Sequence, residues 1–278
     1  MNQTCYRFEK IQYSDGLLSK NVDATYIIHL ANNGRKDDII NQLQQYHPTN
    51  IVYIVYNKGY KNCTKHDSIK NTARDLVDVN IQIFKHAENQ NYNNILILED
   101  DFTFSPKIKE EPHLENIHAF LTENENRPFI YLLGCVPTLL FPHDYNNYKA
   151  INAIGMHCVI FNKSMRTIVL EIEQSDIDDW DTYFILYFLH HKYTYYIPLC
   201  YQLFPETENS KGWGGDNFLF KIYCRMGFLL FSALKMNTQV EPGYSILYIF
   251  SKLLTIAVIM VILYVIVKYL VLGQRRNR

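Results

Sequence analysis

Three consecutive carboxylates, Glu99, Asp100 and Asp101, follow directly on the apolar run Ile95-Leu96-Ile97-Leu98. Three ionised acids at the end of a buried strand repel one another and lose hydration. A divalent cation removes that penalty, and Mg²⁺ and Mn²⁺ select carboxylate oxygens. Residues two apart on a strand share a face, so Glu99 and Asp101 would point together toward one cation. Asp100 would then turn the other way, toward a backbone N–H. The plainer alternative is a strand end with solvated acids, and the order of elements upstream favours the cation.

That order alternates strand and helix. Thr25 to Leu30 reads as a buried strand, followed by a polar turn from Ala31 to Arg35 containing Gly34. Ile39, Ile40, Leu43 and Tyr46 recur at helical spacing behind Asp37 and Asp38, which suit a helix start, and Pro48 ends the helix. Ile51 to Tyr56 is a second strand, rich in β-branched and aromatic residues. A basic loop with Lys58 and Lys61 precedes a helix over Ser68 to Gln90, and Ile95 to Leu98 forms the third strand. The alternation implies an α/β fold with a mainly parallel sheet flanked by helices. In such sheets ligands bind at the carboxyl ends of the strands. Those ends are Ala31 to Arg35, Asn57 to Lys61 and Glu99 to Asp101.

A formal net charge of -1 over 278 residues argues against a whole-molecule attraction to nucleic acid. With 48% hydrophobic and 20% charged residues the chain can build a core and keep a polar surface. None of the six cysteines forms a Cys-x-x-Cys pair, which disfavours a zinc or thioredoxin-type site. Several lie in apolar runs as small buried hydrophobes, and a reducing compartment is expected from them. The histidines are scattered without a His-x-x-x-His pair, against a zinc hydrolase. The loop Gly212-Trp-Gly-Gly-Asp-Asn217 lacks the lysine of a phosphate-binding loop; a lid over a donor site and a plain surface loop are its two readings.

The last part of the chain differs in kind. Leu253 to Val267 carries no charge, and with its apolar flanks a transmembrane helix is expected at about 246–272, near the 20 apolar residues a bilayer requires. Lys252 and Lys268 near its ends can reach the headgroups, and Tyr244, Tyr248 and Tyr269 suit interfacial depth. The chain thus divides into a domain over 1–240 and a membrane anchor over 241–278 with a basic tail. The tail, Gln274-Arg275-Arg276-Asn277-Arg278, prefers the cytoplasm, which would put the domain in a lumen. The polar start of the chain, with no signal-peptide pattern, argues instead for a cytosolic domain. The balance leans to the cytosolic face. Asn2-Gln-Thr, Asn62-Cys-Thr and Asn162-Lys-Ser match the N-glycosylation acceptor pattern, which arises easily by chance in an Asn-rich chain.

Over roughly Asp23 to Gln202 the chain resembles the GT-A (Rossmann-like) glycosyltransferases, and among them glycosyltransferase family 25, as a divergent member. Four stretches carry the likeness: Tyr26-Ile-Ile-His-Leu30 with Arg35; Asn94-Ile-Leu-Ile-Leu-Glu-Asp-Asp101; Ala153 to Ser164 with the helix after it; and Asp178-Asp-Trp-Asp181 with the strand from Pro198 to Gln202. The family's Ser-His pair is replaced by Val79-Asn80. The resemblance implies a metal-dependent transfer of a sugar from a nucleotide-sugar donor, a UDP-sugar above all, to a glycan, lipid or protein acceptor. Asp101 and Glu99 would hold Mn²⁺ or Mg²⁺. His29, Leu30, Asn32, Arg35, Asn57 and Asp100 would meet the nucleotide, with Arg35 on phosphate. Lys58 and Lys61 could serve phosphate too, or remain solvated surface charges. An inverting transfer needs a base for the acceptor hydroxyl, for which Asp181 and Asp179 are the candidates. Asp178 or Asp179 also suits a helix cap ahead of the apolar run Tyr183 to Leu189, and Trp180 either stacks on a sugar or anchors the core. Two other readings remain: a nucleotidyltransferase, for which Ala31 to Arg35 is too poor in glycine and basic residues, and a degenerate, membrane-bound binding protein.

Overall fold

The computed structural model describes residues 4–204 and 218–276. The Gly212–Asn217 loop, with both readings of it, and the acceptor pattern at Asn2 lie outside the described residues.

Nine strands and seven α-helices are described. In order they are β1 (Tyr6–Gln12), β2 (Ala24–Leu30), α1 (Lys36–Gln45), β3 (Ile51–Asn57), α2 (Thr72–Asn89), β4 (Asn94–Glu99), β5 (Phe102–Phe104), α3 (Glu111–Glu123), β6 (Ile130–Pro142), β7 (Asn147–Asn162), α4 (Lys163–Leu170), α5 (Trp180–Tyr187), β8 (Lys192–Tyr195), β9 (Cys200–Gln202), α6 (Phe218–Ala233) and α7 (Gly243–Arg276). Seven strands form one sheet in the order β1-β3-β2-β4-β7-β6-β8, and β5 pairs with β9 separately. The fold is α/β, a mixed sheet flanked by helices. Its parallel part is β3-β2-β4, the three strands expected from sequence. Around it β1 and β7 run antiparallel to β3 and β4, while β8 returns parallel to β6.

Helices cover both faces because the strands alternate their side chains across the sheet. Tyr26, Ile28, Ile95 and Ile97 pack with Val77, Phe84, Met165, Trp180 and Tyr244 from α2, α4, α5 and α7. Ile27, Leu96 and Leu98 pack on the other face with Ile39 and Leu43 of α1 and Ile117 and Phe120 of α3. Trp180 lies against Phe84, Phe161 and Phe184, so it anchors the core and does not offer a sugar platform.

Two sequence expectations are revised. Cys5 and Cys63 form a disulfide tying the start of β1 to the loop after β3, against the expectation of free cysteines in a reducing compartment. Cys135, Cys158 and Cys200 are buried free thiols, as small hydrophobes should be. The second revision concerns the domain boundary. One C-terminal helix, Gly243–Tyr269 within α7, is long and apolar enough to cross a membrane. Its first turns nevertheless belong to the globular packing: Tyr244, Leu247, Tyr248, Ser251 and Thr255 are buried against the domain. Tyr248 Oη meets Thr194 Oγ1 at 3.0 Å, Thr255 Oγ1 accepts from the Leu140 N–H at 3.1 Å, and Lys252 donates to the Tyr196 carbonyl at 2.6 Å. From Ile256 onward large apolar side chains such as Met260, Ile262 and Val267 are exposed. The domain therefore runs about three helical turns past residue 240.

Candidate active site

The ends of the three parallel strands lie side by side. Leu30 is in register with Asn57, Ile28 with Glu99, and the Ala31 N–H donates to the Asn57 carbonyl at 2.7 Å. The acids leaving β4 therefore meet the turn leaving β2.

Asp100 turns toward that turn. Its Oδ2 accepts from the Leu30 N–H at 3.3 Å, lies 3.3 Å from His29 Nδ1, and accepts from the Asn33 amide. Arg35 Nη1 donates to Asp100 Oδ1 at 2.8 Å and to Asp101 Oδ2 at 3.0 Å. Burial alone would lower the Arg35 pKa, yet Asp101 and Asp100 outweigh it and the net shift is upward. Glu99 and Asp101 share a different neighbour. Gln202 Nε2 donates to Asp101 Oδ2 at 3.1 Å and lies 3.5 Å from Glu99 Oε2. Gln202 is brought there by β9, where it pairs with Phe102 of β5, one residue beyond Asp101. Gly134 makes room for β9: a Cβ at that position would lie 1.8 Å from the Cys200 carbonyl oxygen.

Asp181 completes the group. Its Oδ1 accepts from the Met156 N–H at 3.1 Å and its Oδ2 from the Gly155 N–H at 3.3 Å. Gly155 has φ +84°, a left-handed conformation that glycine adopts without strain. Burial, aided by the charge of Asp179, pushes the Asp181 carboxyl up to about 6. Burial also holds Glu99 well above the usual carboxylate range, with Asp101, Asp181 and Asp100 adding to the rise. Asp101 is raised by burial too, against the opposing pull of Gln202 and Arg35. Lys192, fully buried, donates to the Ala153 carbonyl at 3.1 Å and is pulled down to about 8 by burial while Asp181 opposes the fall.

Other expected residues are placed elsewhere. Asp179 caps α5, accepting from the Thr182 N–H at 2.8 Å, so of the two candidate bases only Asp181 faces the acids. The side chain of Leu30 is largely exposed, and Asn32 sits in the turn with φ 67°. Asn57 is engaged behind the strand ends: its amide donates to Asp75 at 2.8 Å and its oxygen accepts from Lys65 Nζ at 2.9 Å and the Gly59 N–H at 2.9 Å. Lys65 also bridges Asp75 at 2.5 Å and Asp78 at 3.5 Å, so this buried cluster braces the loop after β3. Lys61 is an exposed cation 5.9 Å from the Tyr60 ring centre, and Lys58 donates its backbone N–H to the Cys5 carbonyl at 3.2 Å. Asn33, Gln202, Lys192 and Lys65 were not singled out from sequence. Gln202 had one signal, its place at the end of the strand starting at Pro198.

Among the described residues no three His, Cys, Asp or Glu side chains converge as a ready-made cation site. The donor chemistry does fit a hard divalent ion. Among the described residues Asp101 Oδ1 is buried without a hydrogen-bond partner, and the contact of Glu99 is the long one to Gln202. Such an orphaned carboxylate oxygen costs free energy until something positive or a donor reaches it. A surface hollow of 720 Å³ lined by Tyr46, Phe104, Tyr201 and Glu241 does not contain these carboxylates.

No protein-family model matches the sequence, and no curated protein matches it. Among solved structures, A197 from STIV aligns with a TM-score of 0.39 at 11% identity, over 65% of this chain and 85% of that one. A glycosyltransferase involved in the glycosylation of the major capsid of PBCV-1 aligns with a TM-score of 0.30 at 14% identity, over 52% of this chain and 62% of that one. Likeness at these scores carries no argument about activity.

Proposed function

We propose that this chain is a membrane-anchored, metal-dependent glycosyltransferase that takes its sugar from a nucleotide-sugar, with UDP as the expected nucleotide. One observation carries the reading. Glu99, Asp100 and Asp101 follow one another at the carboxyl end of the parallel strands, Asp181 lies near enough to raise the Glu99 carboxyl, and Arg35 is the one arginine or lysine paired with Asp100 and Asp101 among the described residues. Ionised acids this close together and this buried are costly, and a bound divalent cation would relieve the cost and favour their ionised forms.

In this reading Glu99 and Asp101 would hold Mn²⁺ or Mg²⁺, with Gln202 donating to Asp101 and lying 3.5 Å from Glu99. The ion would supply Lewis-acid stabilisation of charge on a departing diphosphate. Asp100 shapes the turn after β2 by accepting from Leu30 and Asn33, which keeps His29, Asn32 and Arg35 at the nucleotide. Arg35, on a side chain 35% exposed, has the reach to pair with phosphate. Asp181, with its carboxyl raised to about 6, is suited to accept the proton of an acceptor hydroxyl near neutral pH. The two N–H donors of Gly155 and Met156 hold it in place.

A degenerate binding protein is the second reading, favoured by one contact: Arg35 already pairs with Asp100 and Asp101. A donor screen separates the two. The full chain in detergent with Mn²⁺ is given UDP- and GDP-sugars, and released nucleoside diphosphate is measured. Transfer or hydrolysis of one donor, lost in Asp101→Ala, is the expected result. No release from any donor, with Asp101→Ala indistinguishable from the parent, would reject the transferase.

A further inference from the structure

The disulfide, one exposed acceptor pattern and the basic tail bear on a question that the active site leaves open: on which side of the membrane the domain stands. Cys5 and Cys63 are fifty-eight residues apart and closed into a bond with Cα atoms 5.7 Å apart. Disulfides of this structural kind form and persist in oxidising compartments. The bond closes the loop between β3 and α2 onto β1, beside the Lys65–Asp75 pair that braces the same loop.

The same loop carries Asn62-Cys63-Thr64, and both Asn62 and Thr64 are exposed. The other acceptor pattern among the described residues is disabled by the fold. Asn162 is buried, 3% exposed, and its side chain is fully used. It caps α4 through the Met165 N–H at 3.0 Å, accepts from the Phe129 N–H at 3.1 Å and donates to the Arg127 carbonyl at 2.7 Å. At the far end of α7, Arg275 and Arg276 follow the apolar stretch, and arginines there favour the cytosolic side. With Gly243–Tyr269 the one candidate span among the described residues, the domain would stand on the opposite side. The disulfide and the arginines after the apolar stretch agree, and the exposed acceptor pattern in the disulfide-closed loop is compatible with them, against the lean toward the cytosol drawn from the polar start of the chain.

We propose that the globular domain stands on the exoplasmic, oxidising face of its membrane, closed by the Cys5–Cys63 disulfide and carrying an N-linked glycan on Asn62. Closing the bond takes two electrons and two protons from the two thiols, delivered to a dithiol–disulfide oxidant of the secretory compartment. In the modification Asn62 Nδ2 displaces a lipid diphosphate from the anomeric carbon of a lipid-linked oligosaccharide. The C–O bond to phosphate breaks, the C–N bond forms, the amide proton passes to a base of the host transferase, and the lipid diphosphate leaves. This inference does not rest on the transferase reading and stands or falls separately from it.

The test is synthesis of the full chain in the presence of membranes of the endoplasmic reticulum. The expected result is one glycan-sized mobility shift, removed by an N-glycan amidase and absent in both Asn62→Gln and Thr64→Ala. Thr64 is exposed, and Cys5 Sγ lies 3.5 Å from its backbone carbonyl, a contact that Thr64→Ala keeps. In the denatured chain Cys5 and Cys63 should react with a maleimide only after reduction. An acceptor tag placed after Arg278 should stay unmodified. An unshifted parent, a shift that survives both substitutions, alkylation of Cys5 and Cys63 without reductant, or a glycosylated tag each overturns the proposal.

Discussion

Arg35 makes the sharpest prediction because it stands in two roles at once. In the structure its Nη1 holds Asp100 at 2.8 Å and Asp101 at 3.0 Å. In the proposed reaction the same guanidinium serves the diphosphate while a cation takes Asp101. Replacing it with methionine, Arg35→Met, keeps much of the stem and removes the charge. A hydrogen bond to an ionised partner contributes about 1.5–3 kcal/mol when buried. With the guanidinium 35% exposed, solvent screening reduces the pair to about 1–2 kcal/mol in total. A cation alone must displace that contact, so its absence should tighten Mn²⁺ binding by about 5- to 30-fold at 1.4 kcal/mol per tenfold. UDP binding at saturating Mn²⁺ should move the other way, weakening by about tenfold for the lost phosphate contact. Calorimetric titration of parent and variant, first with Mn²⁺ and then with UDP, reads both. Opposite signs are the signature. Mn²⁺ affinity that is unchanged or weaker in Arg35→Met refutes the idea that guanidinium and cation compete for Asp101.

Further outcomes follow from the surroundings. Asp181 must be ionised to act as a base, and with its carboxyl raised to about 6 the transfer rate should fall as pH drops through that value. Asp181→Asn should slow transfer by about 10²–10⁴-fold while the chain stays folded, and a flat rate between about pH 5 and 8 would remove Asp181 from the chemistry. Truncation after Val240 discards the buried Tyr244, Leu247 and Tyr248, at a cost of about 5 kcal/mol, comparable to the whole stability of many domains. Truncation after Ala257 keeps them and should give a folded domain by circular dichroism; equal behaviour of the two would show that α7 is anchor alone. Arg166 is fully buried and donates to the carbonyls of Asn93, Phe161 and Tyr92 and to Glu88. Arg166→Met should lose about 3 kcal/mol in urea unfolding, and a loss below about 1 kcal/mol would mean the turn before β4 does not depend on it.

The parallel core was legible because its residues speak locally. Thr-Tyr-Ile-Ile-His-Leu, Ile-Val-Tyr-Ile-Val-Tyr and Ile-Leu-Ile-Leu are continuous apolar runs, and β2, β3 and β4 fall on them within a residue or so. Helix α2 starts at Thr72, later than Ser68, because Asn71 caps it by accepting from the Arg74 N–H at 2.8 Å. Strand β1 was missed since Tyr-Arg-Phe-Glu-Lys-Ile-Gln is an edge strand, half exposed, that gains its place only by pairing with β3. Of the long β6–β7 hairpin only Ala153 to Ser164 was anticipated, through the family resemblance; the rest shifts register repeatedly between Leu132 and Leu140, which breaks the alternation that marks a strand.

At the site, residue types were readable and partners were not. The turn of Asp100 toward the Leu30 N–H follows from strand geometry alone. Gln202 reaches Asp101 only through the β5–β9 pairing, and Lys192 approaches Asp181 only because β8 joins the sheet beside β6. Arg35 was assigned to a phosphate, whereas the anions it pairs with in the structure are Asp100 and Asp101. The Cys5–Cys63 pairing is likewise a long-range contact that no local spacing announces.

The central claim is that Glu99 and Asp101 bind a nucleoside diphosphate through a divalent cation. Titration of UDP into the full chain with and without Mn²⁺, in parent and Asp101→Asn, measures it directly. The account predicts binding that needs Mn²⁺ and is lost in Asp101→Asn with the thermal unfolding curve preserved. Binding of UDP that ignores both the ion and the substitution, or no binding at all in the parent, contradicts it.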